Sequence, residues 1–300
     1  MSVSLKIPCY PDFIPLELEL KNILHPRLSL TFDGVSEFTF AGLYLFRDRY
    51  NYRISRDGED GGFIISGRQP AGKSFFMTPC SAPQWETLES LFAAHDYWKN
   101  ISETVLSPVK NILDDHKVTV TEDRDNFDYL YFRDDLAKLS GKKFHKKKNH
   151  VNNFMNAFPD HTECPMNTAM IPAAIEVLDH WRKNTVLQND GDYKAAREAL
   201  ELFDSLPLKG SVFFIAGTPA AYCLGESIAR GRMFAIHFEK AIDEYKGIYQ
   251  YINKAFASSL PRFFNLINRE QDLGDEGLRQ AKMTYRPCDF VKKYTGELLK

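Results

Sequence analysis

The chain has 300 residues, of which 38 are lysine or arginine and 40 aspartate or glutamate, for a formal net charge of −2. That balance excludes a molecule-wide polyanion binder, so any attraction to phosphate must be local. An apolar content of 44% with 26% charged residues is that of a globular protein, and the length suits two domains better than one.

Residues 1–16, MSVSLKIPCYPDFIPL, are interrupted by Pro8, Pro11, Asp12 and Pro15 and do not read as a signal peptide. Residues 36–51, SEFTFAGLYLFRDRYN, read as a buried helix capped by Ser36. A hairpin follows in 52–67, turning at Asp57-Gly58 and Gly61-Gly62. Then come a strand at 74–79 and a helix over 82–98, with Pro83 at its start and Trp85, Leu88 and Phe92 on one stripe. DYLYF, 128–132, is strand-like, and 133–139 form a short helix.

The second half predicts helices at 171–184 and 192–206, a hairpin at 211–228 turning at Gly217-Thr218-Pro219, and a strand at 233–241. A helix at 247–260, a strand at 263–268, a helix at 275–285 and a terminal strand at 286–294 complete it. The order of elements repeats after roughly 160 residues, which points to a domain-sized duplication. The expected class is α/β or α+β, with mixed, mostly antiparallel sheets flanked by helices. The expected division is an N-terminal domain over 1–135, a basic connecting helix over 136–160 and a C-terminal domain over 161–300.

No apolar run reaches the ~20 residues that a membrane helix needs. The longest, SVFFIAGTPAAYCLG, is broken by Gly217 and Pro219. The five cysteines show neither zinc-ligand spacing nor a disulfide framework. The expectation is buried thiols in a reducing cytoplasm, with no metal and no membrane partner.

Three segments can carry chemistry. The first is GKKFHKKKNH, 141–150, the densest run of positive charge in the chain. As a helix it sets Phe144, Val151, Phe154, Met155 and Phe158 on an apolar stripe and turns Lys142, Lys143, Lys146 and Lys147 mostly elsewhere. It is either a docked helix with a solvated basic face or a phosphate-binding face whose hold weakens with salt. The second is the strand MFAIHFEKA. Alternation puts Phe234, Ile236 and Phe238 on one face and His237 and Glu239 on the other, as a surface pair or as base and orienter. The third is NREQDLGDEG, 268–277. Helix capping accounts for Asp272, Asp275 and Glu276, but not for Asn268, Arg269 and Glu270 at a strand end.

YLYFRDDLAKLSGKKFHKKKNHVNNF, FEKAIDEYKGIYQYINKAF and above all INREQDLGDEGLRQAKMTYRP resemble bacterial proteins related to the C-terminal domain of phosphatidylglycerol lysyltransferases. The resemblance covers most of the chain. It implies two tandem GNAT-like acyltransferase domains, with the acyl-donor site around residues 233–259. It also implies an aminoacyl-tRNA donor, or acyl-CoA as in other GNAT proteins. Phosphates in such folds meet a glycine-rich loop at a helix N-terminus. Here the loop is KAIDEYKGIYQ, which departs from the usual pattern by holding the single glycine Gly247 after Lys246.

The expected function is acyl or aminoacyl transfer to a soluble small-molecule amine or hydroxyl, with no tightly bound cofactor and with tRNA as a candidate partner. Candidate bases are Glu239, His237 and Glu270, and Tyr285 is the candidate acid. Lys142, Lys143, Lys146, Lys147, Lys246 and Gly247 would meet donor phosphates, and Asn268, Arg269, Asp272 and Glu276 would meet the substrate. The alternative is a non-catalytic binding module for RNA or a phosphorylated metabolite on a degenerate acyltransferase fold.

Overall fold

The computed structural model of the chain describes residues 6–59, 61–184 and 192–299. Residues 1–5 of the N-terminal stretch and Asp60 in the first hairpin turn lie outside the described residues.

Strands in the first half are β1 (Ile14–Pro15), β2 (Arg53–Arg56), β3 (Phe63–Arg68), β4 (Ser74–Met77), β5 (Tyr97–Ser102) and β6 (Val118–Glu122). They continue with β7 (Asp128–Phe132), β8 (His161–Pro165), β9 (Lys209–Ile215), β10 (Thr218–Ile228), β11 (Met233–Ala241), β12 (Leu266–Asn268), β13 (Asp289–Val291) and β14 (Lys293–Leu298). One sheet runs β1-β2-β3-β4-β5-β14-β6, and the other β8-β9-β10-β11-β12-β7-β13. Each has a parallel pair at its centre, β4 with β5 and β11 with β12, flanked by antiparallel neighbours. In each sheet a helix connects the parallel pair, Trp85–Ala94 in the first and Ile248–Ser259 in the second. This is the expected mixed α/β class, with the order of elements used twice.

The sixth strand of each sheet comes from the other half of the sequence. After β6 the chain passes to β7, which fills the sixth place in the second sheet; after β13 it passes to β14, which fills that place in the first. One compact unit therefore runs to Asp128 and takes in Gln271–Gly274 and the residues from Val291 onward. The second comprises Tyr129–Glu270 and Asp275–Phe290. This differs from the division at 135 and 160, and hydrogen bonding is the reason. β14 ladders onto β5 and β6. The basic helix is no connector, because its Phe154 stacks on Tyr251 of the helix Ile248–Ser259 at 4.6 Å.

Several local expectations are corrected. Ser36 caps no helix: its backbone N–H and hydroxyl donate to Asp128 at 2.9 Å each, while Thr39 caps the helix Phe40–Leu45 through Gly42 N–H. Tyr97 and Trp98 end no helix but open β5, as buried β-formers beside Phe75 and Phe76. The basic segment forms a short 3₁₀ turn, Lys142–Phe144, and the helix His145–Ala157. Phe144, Val151 and Phe154 are buried as expected, but Met155 is exposed, so the apolar stripe is narrower than the sequence suggests.

Candidate functional site

The parallel pair β11–β12 is in register from Met233↔Leu266 to Ala235↔Asn268, and there β12 stops while β11 runs on to Ala241. The strands part at this point, at the carboxyl ends where open α/β sheets gather their ligands.

A β-bulge shapes β11 at the same level. Leu224 of β10 faces Phe238 and Gly225 faces Ile236, so His237 has no cross-strand partner. Gly225 permits this approach, since a Cβ there would lie 1.9 Å from the Ala235 carbonyl oxygen. The bulge resets the alternation. Phe234 and Ile236 pack in the cluster with Ile252 and Phe256 of the helix Ile248–Ser259, and beyond His237 it is Ala241 that joins that cluster. Lys240 turns instead to Trp181 of the helix Ile171–Asn184, with Nζ 3.8 Å from the ring centre. Glu239 therefore shares the face of Phe234 and Ile236 rather than opposing it, which strict alternation did not anticipate.

Arg269, the first residue beyond β12, reaches back to Glu239: its Nη2 donates to Glu239 Oε1 at 2.9 Å. With the Asn253 amide oriented so that Oδ1 faces the guanidinium, Nε and Nη1 donate to it at 3.2 and 2.8 Å. Burial works against the Arg269 charge, but Glu239 outweighs it and holds the guanidinium pKa above its ordinary value. The guanidinium lies 5.3 Å from the Tyr285 ring centre, and Lys147 Nζ, from the basic helix, lies 4.2 Å from the same ring. Burial raises the Tyr285 phenol above its usual range, with Arg269 opposing, so the ring keeps its proton. Burial, and then Arg269, lowers the Lys147 pKa.

His237 and Glu239, neighbours on the strand, have separate partners. His237 Nδ1 donates to Glu270 Oε1 at 2.7 Å and Nε2 to Glu226 Oε1 at 3.1 Å. Burial disfavours the imidazolium, yet the two carboxylates prevail and lift its pKa to about 10. At neutral pH the ring is a cation with both nitrogens donating. It has no lone pair with which to act as a base, so it holds Glu270 in place instead. Asn268 shapes the same turn. Its side-chain oxygen accepts the Glu270 N–H at 2.7 Å, and Glu270 sits at φ 55. Lys282 Nζ donates to the carbonyl oxygens of both Arg269 and Glu270 and fixes the turn from below.

The other sequence candidates lie elsewhere. Lys142, Lys146 and Lys246 are exposed, and Lys143 is also exposed and pairs with Asp135 at 2.6 Å. Of the four basic-helix candidates, only Lys147 turns in towards Tyr285. Gly247 sits at φ +92 at the head of the helix Ile248–Ser259, where a Cβ would stand 2.9 Å from the His150 carbonyl oxygen. The basic helix therefore packs on the one glycine of the loop. Asp272 is buried in the first unit, where it accepts from Arg124 at 3.3 Å and from Gly274 N–H at 2.9 Å. Glu276 lies exposed in the first turn of the helix Glu276–Met283, whose cap is Asp275. Sequence reasoning missed Glu226, Asn253 and Lys282, which no local pattern marks. Among the described residues no group of three or more His, Cys, Asp or Glu is placed to hold a metal ion, and no helix is long and apolar enough to cross a membrane.

Comparison with known proteins places these observations in a family. Residues 30–296 match the family described as phosphatidylglycerol lysyltransferase, C-terminal. A crystal structure of a conserved protein of unknown function from Bacteroides thetaiotaomicron is 28% identical, with a TM-score of 0.86 over 96% of this chain and 99% of that one. The structure of L-PGS from Bacillus licheniformis shares the fold at 14% identity, with a TM-score of 0.62 over 99% of this chain and 94% of that one. An uncharacterised protein of Mycoplasmoides gallisepticum is 25% identical over 181 residues, 57% of this chain; the chain spans about half of that relative, 56%. The common architecture is that of tandem GNAT-like domains.

Proposed function

The chain belongs to the phosphatidylglycerol lysyltransferase C-terminal family, and from that premise we propose that it transfers an aminoacyl group from aminoacyl-tRNA to a soluble amine or hydroxyl. One observation carries this reading. Where β11 and β12 part, a part-buried guanidinium, a protonated phenol and an inward lysine of the basic helix come together, and the residue that follows the guanidinium in the chain is a half-buried carboxylate, Glu270. The contact between Gly247 and the His150 carbonyl favours tRNA over acyl-CoA as donor. The packed basic helix occupies the approach that a coenzyme pyrophosphate would need at that helix N-terminus. The same helix leaves Lys142 and Lys146 exposed for a phosphate backbone.

In this mechanism the acceptor N–H or O–H attacks the ester carbonyl of the donor as Glu270 takes its proton. Arg269 and Lys147 stabilise the oxyanion. Collapse breaks the ester C–O bond, and the departing ribose oxygen takes the Tyr285 proton. Glu239 and Asn253 orient Arg269, and His237 orients Glu270. The test is transfer of a labelled aminoacyl group from aminoacyl-tRNA to a panel of amines and alcohols, read by mass spectrometry, with acyl-CoA as a parallel donor. Transfer that falls at least 100-fold in Glu270→Gln supports the reading, and transfer from acyl-CoA alone refutes the tRNA donor.

The second reading, a binding module for RNA without catalysis, is favoured by the pairing of Glu239 and Glu226 with Arg269 and His237. Salt-sensitive tRNA binding with no transfer to any acceptor would establish it.

A further inference from the structure

The first unit has its own parting of parallel strands, and the reaction above does not use it. Its β4 and β5 pair at Phe75↔Tyr97 and Phe76↔Trp98; β4 ends at Met77 and β5 continues to Ser102. β5 then carries an irregularity against β14, where Tyr294 faces Ile101 and Gly296 faces Trp98. Lys99 and Asn100 fall in that bulge, and Asn100 sits at φ 54, a left-handed conformation that a side chain adopts at a cost.

Two buried polar atoms at this point, on Asn100 and Thr78, lack the partners that buried groups normally find, and the buried Lys99 stands next to them in the chain. Lys99 is 7% exposed. The ammonium stands over the rings of Tyr50 and Phe75, 5.2 and 5.1 Å from their centres. Burial lowers its pKa, against the pull of Glu37. Asn100 is 1% exposed, and its Oδ1 accepts no hydrogen bond, while its Nδ2 meets only Met77 Sδ at 3.7 Å. Thr78, the first residue after β4, has a buried hydroxyl without a partner. Across from them Glu37 holds Lys293.

A buried ammonium and a carboxamide oxygen without a donor, neighbours in one bulge with the ammonium over two aromatic rings, are what a small zwitterion completes. We infer that the first unit binds a free α-amino acid or a close analogue where β4 and β5 part, its carboxylate on Lys99 and its ammonium on Asn100 Oδ1 and Glu37. A buried acceptor left without a donor carries the cost of its lost hydration, and a buried cation is costly until an anion meets it. A ligand that supplies both partners recovers these costs.

The experiment uses the full chain and thermal shift with saturation-transfer NMR. Probes at 10 mM are glycine, L-alanine and L-lysine, with propionate and ethylamine as half-molecules. At least one amino acid is expected to bind and raise Tm, and neither half-molecule is. Lys99→Met, which fits the aromatic cage without the charge, is expected to fold with a Tm at or above the parent's and to lose binding at least 10-fold. As a measurement independent of folding, brief acetylation at pH 8 followed by peptide mapping should modify Lys99 less, at least twofold, when the binding amino acid is present. Three outcomes overturn the inference: no amino acid binds, Lys99→Met binds as well as the parent, or propionate binds as tightly as the amino acids. Since none of these reads aminoacyl transfer, the result stands apart from that of the transfer assay.

Discussion

The buried imidazolium His237 gives the sharpest quantitative test. Its pKa of about 10, against an ordinary 6.5, corresponds to roughly 5 kcal/mol at about 1.4 kcal/mol per tenfold. Glu226 is 2% exposed and Glu270 is 26% exposed, so the Glu270 share is partly screened. A working figure of about 3 kcal/mol remains. The folded pKa lies above the unfolded one, so this stabilisation is complete below pH 6.5 and is lost as pH rises towards 10. His237→Gln keeps a hydrogen-bonding group of similar size but removes the cation and leaves Glu226 buried without it. Urea unfolding at pH 6 should show the variant about 3 kcal/mol less stable, and the gap should close to below about 1 kcal/mol by pH 10. The imidazole resonances of the parent should titrate near the same pKa. A gap that stays flat across this window, or an imidazole that titrates between pH 6 and 7, would refute the clamp.

Further outcomes follow from single contacts. Lys293 is wholly buried between Asp128 and Glu37, so Lys293→Met should cost about 3–5 kcal/mol in urea unfolding by stranding two carboxylates. Gly247→Ala should cost at least ~1–2 kcal/mol by the same measure, because it forces a side chain at φ +92 against the His150 carbonyl. If the basic helix tracks a tRNA backbone, Lys142→Ala with Lys146→Ala should reduce the slope of log K against log salt by about 1.5 and leave the melting temperature unchanged. Tyr285→Phe should keep tRNA affinity while slowing aminoacyl transfer, as expected of a residue that acts only on the leaving oxygen.

Much of the architecture was legible because apolar periodicity reports local structure. The stripe of the helix Ile248–Ser259 and the turn at Gly217 needed nothing from elsewhere in the chain. What failed was decided at long range. Ser36 has the sequence context of a cap, but a buried Asp128 ninety-two positions away takes both its donors. Tyr97 and Trp98 continue a helical pattern, yet pairing with Phe75 and Phe76 makes them strand. The exchange of sixth strands leaves no mark in local composition, because β7 and β14 read as strands whichever sheet receives them.

The candidate site shows the same division more sharply. The sequence marked Arg269 and Glu270 because charged residues at a strand end have no packing reason to be there, and it marked Lys147 only as one of a run. The pairing of Arg269 with Glu239 depends on a single extra residue in β11. Without the bulge at His237, period-two alternation would set Glu239 on the face opposite Phe234 and Ile236, out of reach of a guanidinium held by Asn253 of the helix Ile248–Ser259. Gly225 is what makes the bulge possible, since any larger residue would meet the Ala235 carbonyl. The electrostatics of the site thus rest on a glycine in the neighbouring strand, which carries no chemistry of its own.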